Sequence, residues 1–481
     1  MIGKLVRLMF CILFAIIILA ACTKTTEIVP LPPHPTDTQV PATKTPLKPT
    51  ATQVPATKTL LPPTDAPVIP TQTLEPFPTA SSINELPMTE RVSVASDGAQ
   101  GNSDSYAPSI SADGRYIVFA SDATNLVEGD TNGETDIFVH DRKTGETQRV
   151  SVASDGTQGN GNNTFIASSI SADGRYVVFS SSADNLVDGD TNGVQDCFVH
   201  DRVTGYTIRV SVASDGTQAN GACAHIGLWG IFYGPSISAD GRYVAFSSDA
   251  TNLLEGVTHG GFFVHDRVTG KTTYERSGGS PSISADGRYV AFSNGGIYVH
   301  DRVTGETTLE SVSSNGTQGN QGGNYPVISA DGRYVAFSSI SDNLVQGDTS
   351  FLDIFVHNRV TGETTLASVS SDGIQGKGNN EPFGMSISAD GRYVAFFSLA
   401  DNLVEGDTNR GMDIYVHDRV TGDTIRVSVA SDGTQGNHDS YWSSISADGR
   451  YVAFYSLANN LVEGDTNGVS DIFVRDLGTS K

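Results

Sequence analysis

The chain has 481 residues, 38% of them hydrophobic, with 30 Lys and Arg against 54 Asp and Glu and a formal net charge of −24 at pH 7. Such a balance excludes nucleic-acid binding as a main task, because a phosphate backbone needs basic partners. It also disfavours docking of the folded head on anionic lipid, and suits cations or cationic surfaces.

Residues 1–22 carry Lys4 and Arg7, then an apolar stretch through Leu19, then Leu19-Ala20-Ala21-Cys22. A basic start, a short apolar run and small residues describe a secretory signal rather than a spanning helix. The ending resembles the bacterial lipobox. That resemblance implies a signal peptide over residues 1–21, cleavage before Cys22 and lipidation of its thiol; an uncleaved anchor helix is the other reading. Residues 22–88 then read as a disordered tether. Fifteen of the 20 prolines fall there, among many threonines, a composition that cannot bury enough apolar surface to offset ordering. The expected location is a cell-membrane lipoprotein, extracytoplasmic, at the surface or in the periplasm. Of the four cysteines, Cys197 and Cys223 lie in the head, in a compartment that permits disulfides. A bridge between them is possible, but two free, partly buried thiols are the expectation, since spacing alone supplies no geometry.

The head, residues 89–481, is built from repeats. Ser-Ala-Asp-Gly-Arg-Tyr starts at Ser111, Ser171, Ser238, Ser284, Ser329, Ser388 and Ser446, each copy followed by an apolar run such as Val244-Ala245-Phe246. Repeats of this length build folds in which no unit buries its surface alone. In one unit, Ser236 to Ser238 reads as a strand, Ala239 to Arg242 as a tight turn of type I′, and Tyr243 to Ser247 as a second strand. In the first unit Ile137 to His140 is a third strand and Gln148 to Ala153 a fourth. Four short antiparallel strands, apolar on both faces, describe a propeller blade. The last unit stops at Asp476 without a fourth strand, while residues 90–96 carry a spare one ahead of the first unit. The expected fold is therefore all-β: a seven-bladed propeller of four-stranded blades, its ring closed by the N-terminal strand completing the last blade, with no exposed sheet edge.

Ser-Ala-Asp-Gly-Arg-Tyr-Val-Ala-Phe followed by Asp-Ile-Phe-Val-His-Asp-Arg-x-Thr-Gly resembles the TolB-type, WD-repeat-like propeller repeat. In that family Ser-Pro-Asp-Gly precedes an apolar strand; here alanine replaces the proline in every copy. The resemblance implies the propeller fold and, less directly, a role in the cell envelope. Fold alone does not carry function.

A meander of four strands puts the tight turns on one face and the long Asp/Asn/Gly/Ser loops on the other, where binding is expected. Gly-Asp-Thr-Asn-Gly-x-x-Asp recurs there as Asp130/Asn132/Asp136, Asp190/Asn192/Asp196 and Asp465/Asn467/Asp471, with a variant at Asp407/Asn409/Asp413. Oxygens at positions one, three and seven, with Glu134 adding a carboxylate in the first copy, make a candidate Ca²⁺ site. The competing reading is that these side chains cap their own backbone. A shortened version spans Asp348 to Asp353. The loop Ala219 to Tyr233 offers Trp229, Phe232 and Tyr233 as a candidate aromatic anchor, or as packing over short neighbouring loops. His140, His200, His265, His300, His357 and His417, with Arg475 in the seventh copy, recur at one strand position and read as structural.

No Gly-x-Ser-x-Gly elbow occurs, and the arginines recur on the tight-turn face. The expected function is a monomeric, lipid-anchored binding or scaffold module. Its acidic loop face meets a protein or glycan partner, without catalysis. The alternative is a carbohydrate-active enzyme on the same scaffold, since paired carboxylates remain open to glycoside chemistry.

Overall fold

The computed structural model describes residues 87–163, 168–223, 234–349, 351–378 and 384–478. Cys22, the tether and the aromatic loop residues Trp229, Phe232 and Tyr233 lie outside these residues. Seven four-stranded antiparallel sheets are present, in consecutive order around a ring. The first blade is β2 (Ser105–Ile110), β3 (Tyr116–Ser121), β4 (Asp136–Asp141) and β5 (Glu146–Arg149). The last sheet is completed by β1 (Met88–Arg91), whose Met88, Thr89, Glu90 and Arg91 face Asp476, Arg475, Val474 and Phe473. The ring closes as its strand count requires.

Each blade is held internally by an aromatic pair on its two central strands, such as Phe119 with Phe138 at 6.0 Å and Phe454 with Phe473 at 5.9 Å. Between blades lie seven apolar clusters, one per seam. The seam joining first and last blades combines Ile117, Phe119 and Phe138 with Val92, Ala453, Ile472 and Val474. Tyr-Val-Ala-Phe is thus apolar throughout because successive side chains enter opposite seams. Each sheet is sandwiched on both sides.

The tight turn is not of type I′. The Gly114 N–H donates to the Ser111 carbonyl at 2.9 Å and Gly114 sits at φ 74°, while Asp113 is not among the residues with positive φ. This is a type I turn relieved by a left-handed glycine, and Asp113 accepts from Ser111 Oγ at 2.6 Å instead of lying in the turn's strained position. The fourth strand also begins earlier than the apolar pattern suggests, Glu146 rather than Gln148, and ends at Arg149. Beyond Arg149 the Ser151 hydroxyl takes over the ladder: it accepts from the Ile137 N–H at 3.1 Å and donates to Asp136 at 2.5 Å. Ser93 does the same for Ile472 and Asp471, so the closing strand ends at Arg91 instead of running to residue 96.

Alanine in place of proline has a structural reason. The Ala112 N–H donates to Ala172 O, and so on through Ala239, Ala285, Ala330, Ala389 and Ala447 back to Ala112, each at 3.0 or 3.1 Å. Seven inter-blade hydrogen bonds encircle the axis at the tight-turn end. Proline has no N–H to donate, and its ring would press on the neighbouring carbonyl. Ala285→Pro is expected to cost about 2 kcal/mol, a lost hydrogen bond plus local displacement, whereas Ala285→Ser stays near neutral. Urea unfolding midpoints of the two variants measure the difference.

Candidate functional site

The acidic loop motif builds the seams at the loop face. In the first blade Arg149 Nη1 lies 3.3 Å from Asp130 Oδ1 and 3.5 Å from Asp136 Oδ2. Gln158 Nε2 donates to both carboxylates, at 2.8 and 3.1 Å, and Asn132 donates to Asp136 at 3.2 Å and to Gly159 O at 3.0 Å. Arg209 serves Asp190 and Asp196, Arg426 serves Asp407 and Asp413, and Arg91 serves Asp465 and Asp471. Asn192, Asn409 and Asn467 repeat the bond made by Asn132 to the following loop's backbone. The two carboxylates of each copy converge on a guanidinium, while the Asn oxygen turns back to accept the N–H two residues on, as the capping reading has it. Glu134 stays exposed, turned away from that convergence by the Asn132 cap on its N–H. Burial pushes the carboxyls of Asp136, Asp196, Asp413 and Asp471 upward, opposed by the arginine and the serine hydroxyl. In the fifth blade Leu366 replaces the arginine, and burial raises Asp353 to about 7. Among the described residues no group of three or more His, Cys, Asp or Glu is placed to hold a metal ion.

A different place, along the axis, carries unsatisfied polarity. The inner strands of four blades are bulged, at Tyr106/Ser109, Gly279/Ser282, Asn324/Val327 and Tyr441/Ser444. Within these bulges Ala107, Ser280, Tyr325 and Trp442 adopt φ between 51° and 54°. A left-handed residue with a side chain costs about 1–2 kcal/mol. Trp442 is seated against Gly384, where any Cβ would meet the Trp442 Cα at 2.7 Å. Strain clusters around the axis.

These bulges frame a cavity of about 220 Å³. Ser109, Ser169, Ser236, Ser282, Ser386 and Ser444 ring it, with Val327 taking the seventh place. Serine is needed there because its hydroxyl accepts the next blade's backbone N–H, as Ser444 does from Ile110 at 3.2 Å and Ser386 from Ile445 at 3.0 Å. Ser168, 3% exposed, and Ser280 also line it, and their hydroxyls are buried without a hydrogen-bond partner among the described residues. None of the described lining residues is charged. The motif reading passed over these serines; the recurrent Pro-Ser-Ile ahead of Ser-Ala-Asp-Gly, at Pro108, Pro235 and Pro281, is the signal that marks them.

The histidines are structural. His140 Nδ1 lies 2.9 Å from Thr147 Oγ1, and that hydroxyl donates in turn to Val94 O of the preceding seam. The partner is the cross-strand threonine and not the adjacent aspartate, because the strand alternation turns Asp141 toward Arg115. Cys197 and Cys223 are both fully buried and joined as a disulfide, Cα–Cα 5.5 Å, correcting the expectation of free thiols. The Cys223 N–H donates to Gln195 O, which brings the two sulfurs together.

No protein-family model and no curated protein matches the chain. Solved structures do. TolB from Acinetobacter baumannii is similar over 61% of this chain and 59% of that one, at 14% identity and a TM-score of 0.37. Oligogalacturonate lyase from Vibrio parahaemolyticus is similar over 81% of this chain and 93% of that one, at 14% identity and a TM-score of 0.49. An oligogalacturonate lyase in complex with manganese gives the same coverages, 13% identity and a TM-score of 0.50. This chain spans 59% of the length of TolB. At such identities the likeness shows the propeller fold alone. It nevertheless corrects the expectation that the chain is not an enzyme: an oligogalacturonate lyase has this fold, so a missing nucleophile elbow does not set catalysis aside. A metal is likewise compatible with the fold, though the carboxylates of the four full copies of the acidic motif are already held by arginines.

Proposed function

We propose that the protein is an extracytoplasmic binding module, tethered through a lipid on Cys22, which captures a neutral, hydroxyl-rich ligand at the axial mouth. A single sugar unit of a glycan fits this chemistry. One observation carries the reading: in a chain of net charge −24 the axial cavity is lined by serine hydroxyls, prolines and the rings of Tyr325 and Trp442, with no charged group among its described residues. Sugars present alternating hydroxyls and C–H faces, which suit a serine ring beside aromatic surface. The buried Ser168 hydroxyl lacks a partner among the described residues, one that a ligand hydroxyl would supply. A cavity near 220 Å³ has room for a sugar ring. Calcium has no part in this reading, because in the four full copies of the motif it would have to displace Arg149, Arg209, Arg426 or Arg91.

The expected result is binding of neutral oligosaccharides in calorimetric titration, with Ser168→Ala about tenfold weaker at an unchanged melting temperature. Trp442→Ala abolishes the titration heat. Preferential binding of uronic-acid oligosaccharides overturns the proposal, since no described cation at the mouth answers a carboxylate. A second reading, a carbohydrate-active enzyme, is favoured by the coverage of the manganese-complexed lyase. Reducing ends released from a polysaccharide by purified protein, and lost on closing the mouth with Ser169→Trp, would place it first.

A further inference from the structure

The tight-turn face contains a repeated guanidinium site in which one of the seven described positions carries leucine instead of arginine. In six blades the arginine after the third strand stacks on the tyrosine of the preceding blade. Arg142 lies over Tyr451, Arg202 over Tyr116 and Arg267 over Tyr176, at 4.4, 4.4 and 4.2 Å from the ring centres. Arg302, Arg359 and Arg419 do the same over Tyr243, Tyr289 and Tyr334, each at 4.7 Å. Every one of these guanidiniums also donates through Nη1 to the carbonyl of its own blade's turn glycine, as Arg142 does to Gly114 O and Arg202 to Gly174 O, both at 2.6 Å. Carboxylates complete the setting: Asp141 and Glu146 act on Arg202, and Glu363 on Arg419.

The seventh seam has Leu477 at the arginine position. The tyrosine and the turn glycine are retained, with aspartates nearby, though the glutamates that pair with Arg142, Arg302 and Arg359 have no counterpart among the residues bounding the site. Tyr393 is covered on one face by Arg392 at 4.8 Å. Tyr393 is also one wall of a cavity of about 400 Å³ bounded by Gly449, Leu477, Asp418, Asp423, Asp448 and Arg450, the last held by Asp476 at 2.7 Å. Asp418 and Asp423 stand at the strand positions that Asp141 and Glu146 occupy in the first blade. Asp418 is bound by Arg392, at 2.9 and 2.7 Å, and Asp448 accepts from Ser446 and the Arg450 N–H; Asp423 is exposed.

We propose that this notch is a socket for an arginine side chain presented by a partner protein, which supplies in trans the guanidinium that the other six seams hold in cis. Six copies within one molecule show the geometry such a group adopts. A planar guanidinium can stack on the ring and still donate to a carbonyl in its plane, which an ammonium cannot. The head's acidity favours a basic partner. None of the residues bounding the socket lines the axial cavity, so the proposal does not rest on the glycan reading.

Nα-acetyl-arginine methylamide, titrated calorimetrically into the full chain against the citrulline analogue, tests the proposal. The arginine probe is expected to bind at least about tenfold more tightly than citrulline, the loss of a desolvated cation–π contact. Leu477→Arg should fill the socket from within, raising the melting temperature and abolishing probe binding. Tyr393→Leu should weaken the probe about tenfold; if that variant fails to fold, Leu477→Arg decides alone. Equal affinity for arginine and citrulline, no arginine binding at all, or undiminished arginine binding to Leu477→Arg overturns the proposal.

Discussion

Deleting Met88 through Ser93 is expected to abolish the cooperative unfolding transition altogether. The segment forms the outer strand of the last blade, and its removal exposes the full edge of Asp471–Asp476. It also takes away Arg91, the guanidinium between Asp465 and Asp471, the second of which is fully buried. Removing one partner from a buried ion pair costs about 3–5 kcal/mol. Val92, 1% exposed in the closing seam, and the Ser93 hydroxyl that serves Ile472 and Asp471 go with it. Together these losses approach the about 5–15 kcal/mol that stabilises an ordinary domain. Circular dichroism melts of the deletion should show a broad, non-cooperative change and concentration-dependent aggregation through the free edge. Arg91→Ala retains the strand and should lower stability by about 3–5 kcal/mol without aggregation. A deletion variant as stable as the parent would mean the ring does not need its N-terminal strand.

Mild acid should weaken the propeller strongly, and the histidines are the reason. Burial lowers His140, His200 and His265 from 6.5 to about 4. Each favours its neutral form when folded, so the unfolded chain binds more protons between these values. Stability from these groups is complete above pH 6.5 and is lost as the pH falls toward 4. At pH 5 the loss is about 2 kcal/mol per histidine, or roughly 6 kcal/mol for the three if they act independently. Below that range the turn aspartates add to the effect in the same direction. Asp141, Asp201 and Asp266 are held below the usual carboxylate range by bidentate arginines, so their contribution disappears as they protonate. Asp353 runs the other way. Raised to about 7 by burial, it contributes below pH 4 and loses that contribution as the pH rises through 7. Guanidinium midpoints measured from pH 7.5 to pH 5 should fall steeply, and a triple His→Gln variant at positions 140, 200 and 265 should flatten the slope. A flat profile in the parent would show that these imidazoles protonate in place without cost.

Some of this was legible in the chain and some was not, for identifiable reasons. Seven copies of Ser-Ala-Asp-Gly-Arg-Tyr, with a spare strand before the first and a missing one after the last, contain the blade number and the closure. Both depend on local turn geometry and on counting. Strand ends were less legible, because Ser93 and Ser151 continue the ladder with hydroxyls where an apolar pattern promises backbone. The acidic motif was visible, and its setting was not. Arg149 and Gln158 reach Asp130 and Asp136 through strand pairing and the next loop, not through neighbouring positions. The axial mouth is further from reach, since it unites residues as distant as Pro108 and Trp442.

The amino-acid order by itself determined the architecture: each repeat carries its own turn, its own aromatic pair and two apolar faces, and such a unit can only stack on copies of itself. Tertiary structure alone decided which polar groups are spent on the scaffold and which are left over. Charge and hydrogen-bond compensation is settled between blades, by groups that meet only once the ring has closed. For that reason the conspicuous aspartates turn out to hold arginines, while an inconspicuous serine at the axis has no hydrogen-bond partner among the described residues and Leu477 stands where six other blades place an arginine.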